Sequence, residues 1–222
     1  MILNNIFLYP DLVEFNDLNE DLTIVRNQTR HICNYLARNL QKLKFQVNGF
    51  NRICIIGMND PKGIYINSSS VLSVGVPFNM DECKEIKRKD LGDYYSSLIK
   101  IGLNDCAQVY KLPIEEMFFW LEELKKNNYK NEWIFKDKTF RKYNLKCQLK
   151  CAIDLDKFTL TLVVYRKNEE IFNEIILETL PDEIIYHYKF KDVNIIQDTI
   201  TVTTRLNEDK ALFQLPLHPL LK

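Results

Sequence analysis

The 222-residue chain reads as an α+β protein. An N-terminal helix, a small β region and a central helical pair pack on a C-terminal antiparallel β-meander of five or six strands. Three observations lead there. Residues 145–205 alternate apolar and polar side chains with a period of two, as the two faces of a pleated strand require. Two earlier stretches, residues 22–43 and 94–124, repeat apolar side chains at helical spacing. The polar or Pro-containing connections at 154–157, 166–169, 180–182 and 197–198 are short, enough for hairpins but not for crossover helices.

Taken in order, the apolar start from Met1 to Tyr9 has no basic n-region and no small-residue cleavage site. It reads as a strand or docking segment, not a signal peptide. Pro10 and the acidic run 11–21 read as a loop entering a helix, with Asn19 as N-cap. Glu20 and Asp21 fall in the first turn, where carboxylates suit the helix dipole. Val25, Thr29, Ile32, Leu36, Leu40 and Leu43 form one stripe of a helix over 22–43. Asn48-Gly49 marks a tight hairpin, and 52–57, 64–66 and 71–78 read as short strands of a second small sheet or of the main sheet's edge.

Helices return at Asp81-Glu82, and Tyr94, Leu98, Ile99, Leu103, Cys106 and Tyr110 carry helical spacing to about Leu112. Pro113 is tolerated in the first turn of a new helix, whose stripe is Met117, Trp120, Leu121 and Leu124. Trp133-Ile134-Phe135 opens the strand-rich half. There, five runs alternate: Leu145 to Ile153, Phe158 to Tyr165, Ile171 to Leu177, Ile184 to Lys191, and Thr199 to Thr204. The whole reads as a single domain, 1–222, with 1–128 and 129–222 as its subdivision.

Composition narrows the function. Thirty basic residues balance thirty acidic ones, and neither half carries the basic excess that gives duplex-binding proteins their affinity. No run has the roughly 18 apolar residues of a membrane span, so a cytoplasmic location and no membrane partner are expected. Cys33, Cys54, Cys83, Cys106, Cys147 and Cys151 lack any Cys-x-x-Cys pairing and read as inert core thiols in a reducing compartment. Alanine is scarce while Asn, Lys and Ile abound, the composition of an A/T-leaning genome of bacterial type.

Motifs for chemistry are weak. Residues 57–63 place glycines and a lysine after a strand, but without Gly-Lys-Ser/Thr and with a proline inside, so a plain turn is the better reading. His31 and Cys33 are two apart on a helix and do not face each other. The acid pairs Asp81/Glu82, Glu115/Glu116 and Glu122/Glu123 point about 100° apart, poor geometry for shared acid–base work. No cofactor and no metal site is expected.

In size, neutrality and lack of catalytic motifs, the chain resembles the immunity proteins that neutralise toxins in contact-dependent or secretion-linked competition. The resemblance implies a non-catalytic protein that covers a toxin's active site. Two sets of residues are candidate partner contacts: Tyr186, His187, Tyr188 and Lys189 on a strand of the meander, and Asp11, Glu14, Asp17, Glu20 and Asp21 in the acidic loop. Tyrosine offers large contact area at low entropic cost, and carboxylates suit the basic clefts of nuclease toxins. Two rival classes stay open. One is an enzyme acting on nucleotides or nucleic acid through dispersed residues. The other is a subunit that self-associates through the apolar tail 213–222, which runs from Phe213 through Leu215, Leu217, Leu220 and Leu221 to Lys222.

Overall fold

A computed structural model describes residues 1–207 and 210–220. The chain is α+β and divides into two compact units, Met1–Asn131 and Glu132–Lys222. Among the described residues no helix is long and apolar enough to cross a membrane.

The N-terminal unit is built on a sheet that is mostly parallel. Its elements are β1 (Asn5–Pro10), α1 (Asn19–Leu43), β2 (Arg52–Met58), β3 (Tyr65–Ile66), β4 (Val71–Pro77), α2 (Met80–Glu85), α3 (Leu91–Val109) and α4 (Ile114–Lys126). The strand order is β1-β2-β4-β3; β1 and β4 both run parallel to β2, and only β3 is antiparallel. The hairpin expected at Asn48-Gly49 is therefore absent. Gly49 takes φ +85°, but it turns the chain from α1 into β2 instead of joining paired strands. One face of this sheet is dry: Ile6, Ile53 and Leu72 align across three strands, as do Leu8, Ile55 and Val74, all nearly inaccessible. α3 closes on that face at Gly102, where a Cβ would come within 2.9 Å of Ile55.

α1 starts at Asn19 with Leu18 as its cap residue, not with Asn19 capping from outside. Leu22 N–H already donates to Leu18 C=O, so Asn19 lies in the first turn and its side chain caps nothing. Asn79, by contrast, caps α2 through Oδ1, which accepts from Asp81 and Glu82 N–H. Asn131 is buried at the unit's end. Its side chain donates to His31 C=O at 2.8 Å and to Asn34 Oδ1 at 3.1 Å, and accepts from Arg38.

The C-terminal unit is all but helix-free. β5 (Asn131–Phe140), β6 (Leu145–Ile153), β7 (Phe158–Arg166) and β8 (Glu169–Thr179) form one sheet in sequence order. α5 (Glu183–Tyr186) follows, then β9 (Asp192–Ile196), β10 (Thr199–Thr203) and β11 (Ala211–Pro216), with β10 central in a second sheet. The expected single meander is thus two sheets that share one core. The tight turns at Lys167-Asn168 and Gln197-Asp198 put both residues at positive φ, the hairpin geometry that matches strand twist. Of the tail, Phe213 and Leu215 pair with β10, and Leu217 is buried in the same core; Leu221 and Lys222 lie outside the described residues.

Two sequence expectations fail here for identifiable reasons. β8 carries an extra residue at each of two register shifts, so Leu160 faces Leu177 but Thr161 faces Ile175. Each bulge reverses the alternation, and Ile175, expected inside, is 58% exposed. The run 184–191 is not a strand. Asp182 Oδ1 accepts from Ile184 N–H at 3.0 Å and starts a helical turn. Tyr186 and Phe190, four apart, then face inward, while Ile184 and Tyr188 face out.

Phe158 is the centre of that core. Its ring stacks on Tyr186 at 3.8 Å and lies near-parallel to Phe190 at 5.6 Å, with Trp133 tilted against it at 6.3 Å. We expect Phe158→Ala to cost about 3–5 kcal/mol. Denaturant unfolding followed by Trp133 fluorescence in a Trp120→Phe background measures it.

Lys138 on β5 ties the two sheets together, donating to Asn194 Oδ1 at 2.5 Å and to Asp192 Oδ2 at 3.3 Å on β9. Burial pushes the Asp192 carboxyl upward, but Val193 N–H, Lys138 and Lys136 outweigh it and hold the group below its ordinary value. A depressed carboxylate contributes stability that is complete above its unfolded pKa, about 4, and is lost as pH falls through the folded value. Asp192→Asn should therefore destabilise the protein at pH 7, and the gap to wild type should close on acidification below about pH 4. Urea midpoints across that range test it.

Candidate partner-binding surface

The connection from β1 to α1, residues 11–18, leaves the C-terminal end of the parallel sheet and is held there by three separate attachments. Asp11 N–H donates to Gly57 C=O at 2.8 Å. Asp11 Oδ1 then accepts from Val13 N–H at 2.9 Å and Glu14 N–H at 2.8 Å, closing a tight turn. The Glu14 carboxylate accepts from Asn59 N–H, at 3.1 Å and 3.3 Å from its two oxygens. Phe15 is buried edge-on against Phe78, with ring centroids 5.8 Å apart. One turn into α1, Asp21 meets Lys84 of α2 at 2.6 Å. That hydrogen bond and the nearby charge of Asp81 hold the Lys84 ammonium above its ordinary range.

This bracing forces two apolar side chains outward. Val13 is 82% exposed and Leu12 half-exposed, and Ile24 on α1 is also exposed. Around them stand Glu14, Asp17 and Glu20, all exposed. Residues 11–21 contain five carboxylates and no basic residue. The result is a fixed apolar tip in an acidic field. Composition alone pointed to the carboxylates; Leu12 and Val13 were missed because an apolar residue in a loop reads as core.

Of the five acids, Asp17 and Glu20 present free faces to solvent, whereas Asp11 and Glu14 spend oxygens on backbone N–H groups and Asp21 on Lys84. The second predicted set is not brought together as expected. Tyr186 is in the core against Phe158, so it offers nothing to a partner. His187, Tyr188 and Lys189 are exposed, on a turn and not on a sheet face. Burial, then the charge of Arg205, holds the His187 imidazole below its ordinary pKa, so it is neutral at pH 7. Tyr165 stands apart from them on the outer face of the β5–β8 sheet, where its hydroxyl accepts from Lys150 Nζ at 3.1 Å.

That outer face holds a shallow basin of about 500 Å³, edged by Glu132, Trp133, Lys150, Thr161 and Asn173. All six cysteines are buried thiols, and none is in a disulfide. Burial raises the thiols of Cys54 and Cys83 and lifts those of Cys106 and Cys147 to about 12, so these four are protonated at neutral pH and poor nucleophiles. Among the described residues, no three His, Cys, Asp or Glu side chains gather as a metal site.

No protein-family model matches the chain, and no curated protein or solved structure is significantly similar to it.

The brace predicts a local effect. Asp11→Ala should cost about 1 kcal/mol, the usual effect of deleting a side chain that caps backbone N–H groups. Amide exchange at Val13 and Glu14 should quicken about fivefold, since each 1.4 kcal/mol of lost protection is a factor of ten. Exchange at β2 should stay unchanged, and hydrogen–deuterium exchange reads both.

Proposed function

We propose that this chain is a non-catalytic binding protein of the immunity type, which neutralises a cognate toxin by seating its 11–18 loop and the first turn of α1 on the toxin's basic cleft. The observation that carries this reading is the braced loop itself. Val13 is presented at 82% exposure from a turn fixed by Asp11, Glu14 and Phe15, beside the solvent-facing carboxylates of Asp17 and Glu20.

Each part has a physical role in such a contact. A few buried anchors dominate protein interfaces, and Val13 with Leu12 would fill an apolar notch in the cleft. Asp17 and Glu20 at the rim would steer a basic partner and speed encounter more than they add final affinity. The loop is already ordered, so little conformational entropy is lost when it docks. Occlusion of the cleft then blocks the toxin without any chemistry on this chain. His187, Tyr188 and Lys189 would form a separate, secondary contact.

The test uses the product of the adjacent reading frame, purified in an inactive form, with binding followed by biolayer interferometry. The wild-type chain should bind with an association rate that falls steeply with salt. Val13→Asp should weaken binding about 30-fold or more, equivalent to about 2 kcal/mol, mainly through dissociation. Asp17→Lys with Glu20→Lys should slow association about tenfold and flatten the salt dependence. Equal affinity in both variants would sink the loop assignment. Failure of the wild-type chain to protect cells that express the active neighbour would sink the immunity reading.

A further inference from the structure

The chain's neutrality conceals one strongly cationic stretch. Residues 22–59 hold Arg26, Arg30, Arg38, Lys42, Lys44 and Arg52 and not one Asp or Glu. Carried on to residue 80, the stretch gains Lys62 and a single acid, Asp60. The lysines of α3 and α4, by contrast, are matched. Across the pocket of about 210 Å³ between those helices, Lys125 Nζ lies 2.9 Å from Asp93 Oδ1 and Lys100 Nζ lies 2.6 Å from Glu122 Oε1. Lys126 pairs with Glu123. Arg26 and Arg52 have no ion-pair partner among the described residues. Arg52 Nε reaches the neutral Asn51 Oδ1, at 3.4 Å.

Three of the arginines gather on the face of the parallel sheet that points away from α3. Side chains alternate along each strand, so the residues between the dry ones look out on this second face. Phe7, Cys54, Ser73 and Tyr65 stand in one row across all four strands. Asn5, Arg52 and Val71 form the row before it, and Tyr9, Ile56 and Gly75 the row after. None of these side chains is a carboxylate. α1 lies along the outer edge of β1, where Thr29 Oγ1 donates to Leu8 C=O at 2.7 Å. It brings Arg26 and Arg30 beside Phe7 and Tyr9. The Arg30 guanidinium sits over the Phe7 ring, 5.3 Å from its centroid, a contact that fixes the cation on this face. The charge of Arg26 reaches Tyr9, and those of Arg52 and Arg30 reach Cys54, so the three converge on the middle rows. Tyr65, at the far edge, is 53% exposed. Asp60 is in the exposed loop between β2 and β3.

The shape and chemistry of this face select its ligand. The cavity between β1 and α1 is about 10 Å³, room for one water at most, so no metabolite is enclosed. What remains is a shallow cationic platform with an open aromatic ring at one side. An acidic peptide would use the arginines and leave Tyr65 idle. A duplex keeps its bases stacked inside, and three guanidinium groups give it little affinity. A single strand brings phosphates and unstacked bases together, and both find a counterpart here. Phe7 and Tyr65 mark the two ends of the row, about 14 Å apart at the usual strand spacing, with Arg52 between them one row back. We propose that this open sheet face binds single-stranded nucleic acid, with phosphates along Arg26, Arg30 and Arg52 and a base stacked on Tyr65.

The test is fluorescence anisotropy of the full chain with labelled RNA and DNA single strands of about 12 nucleotides. The matching duplexes, heparin and poly-glutamate serve as competitors. A single strand should bind with a Kd near or below about 10 μM at about 50 mM salt. Log affinity should fall against log salt with a slope of about −2, the value for three phosphates on a single strand. Tyr65→Ala, a change at an exposed ring, should weaken binding about fivefold or more and leave that slope as it was. Arg26→Gln with Arg52→Gln should flatten the slope to about −0.7. Val13→Asp should bind like wild type, so this inference and the loop reading stand or fall separately. No saturable binding up to about 100 μM, competition by duplex, heparin or poly-glutamate as strong as by the single strand, or undiminished binding in Tyr65→Ala would each overturn the proposal.

Discussion

Two adjacent parallel strands cannot be joined by a hairpin, and that constraint governs the N-terminal unit. After β1 the chain must leave the sheet at one end and return through α1 to begin β2 alongside. The departing segment is therefore obliged to sit at the C-terminal edge of the strands. Its backbone groups would be orphaned there, and the protein answers with Asp11, Glu14 and the end of β2. The geometry of residues 11–18 follows from topology first and from local sequence second. In parallel sheets this edge is where ligands and partners are generally met, because loops converge there while the strands below stay rigid.

Much of the fold was legible from spacing alone. β6 and β7 alternate along most of their length, interrupted at buried Gln148 and Val163, with Cys147, Leu149 and Cys151 on the same dry side as Leu160, Leu162 and Val164. The stripe of α1 was equally plain. What spacing could not supply was strand direction. A short apolar run such as 52–58 looks the same in a parallel or antiparallel pair, and only the partner decides. β8 and 184–190 failed for a subtler reason. Two-residue and four-residue periods coincide at every second step, so Tyr186 and Phe190 fit both a strand and a helical turn. The cue that separates them is local: Pro181-Asp182 just upstream, with a side chain able to start a turn.

The acidic loop and the pocket between α3 and α4 differ in how much of them sequence could reveal. The acidic loop is contiguous, so its carboxylates stood out, although the role of Leu12 and Val13 depends on what holds the backbone beneath them. The pocket between α3 and α4 is dispersed. Tyr129 and Asp93 are 36 residues apart, and Lys100 and Glu122 are 22 apart. Read singly, each is an ordinary helix-surface charge or a residue at a helix end. Gly92 was the one residue with a distinctive signature, a glycine inside a helical run, and its purpose is to admit the Tyr129 ring.

The buried thiols lead somewhere else. They are spread through the chain, on α1, β2, α2, α3 and β6, and none is open to solvent in the folded state. Any alkylating or oxidising reagent must therefore wait for the surrounding element to open, and the element nearest each sulfur sets its own rate. The molecule thus carries an internal set of reporters, and the order in which its cysteines are modified is a record of the order in which its parts come undone.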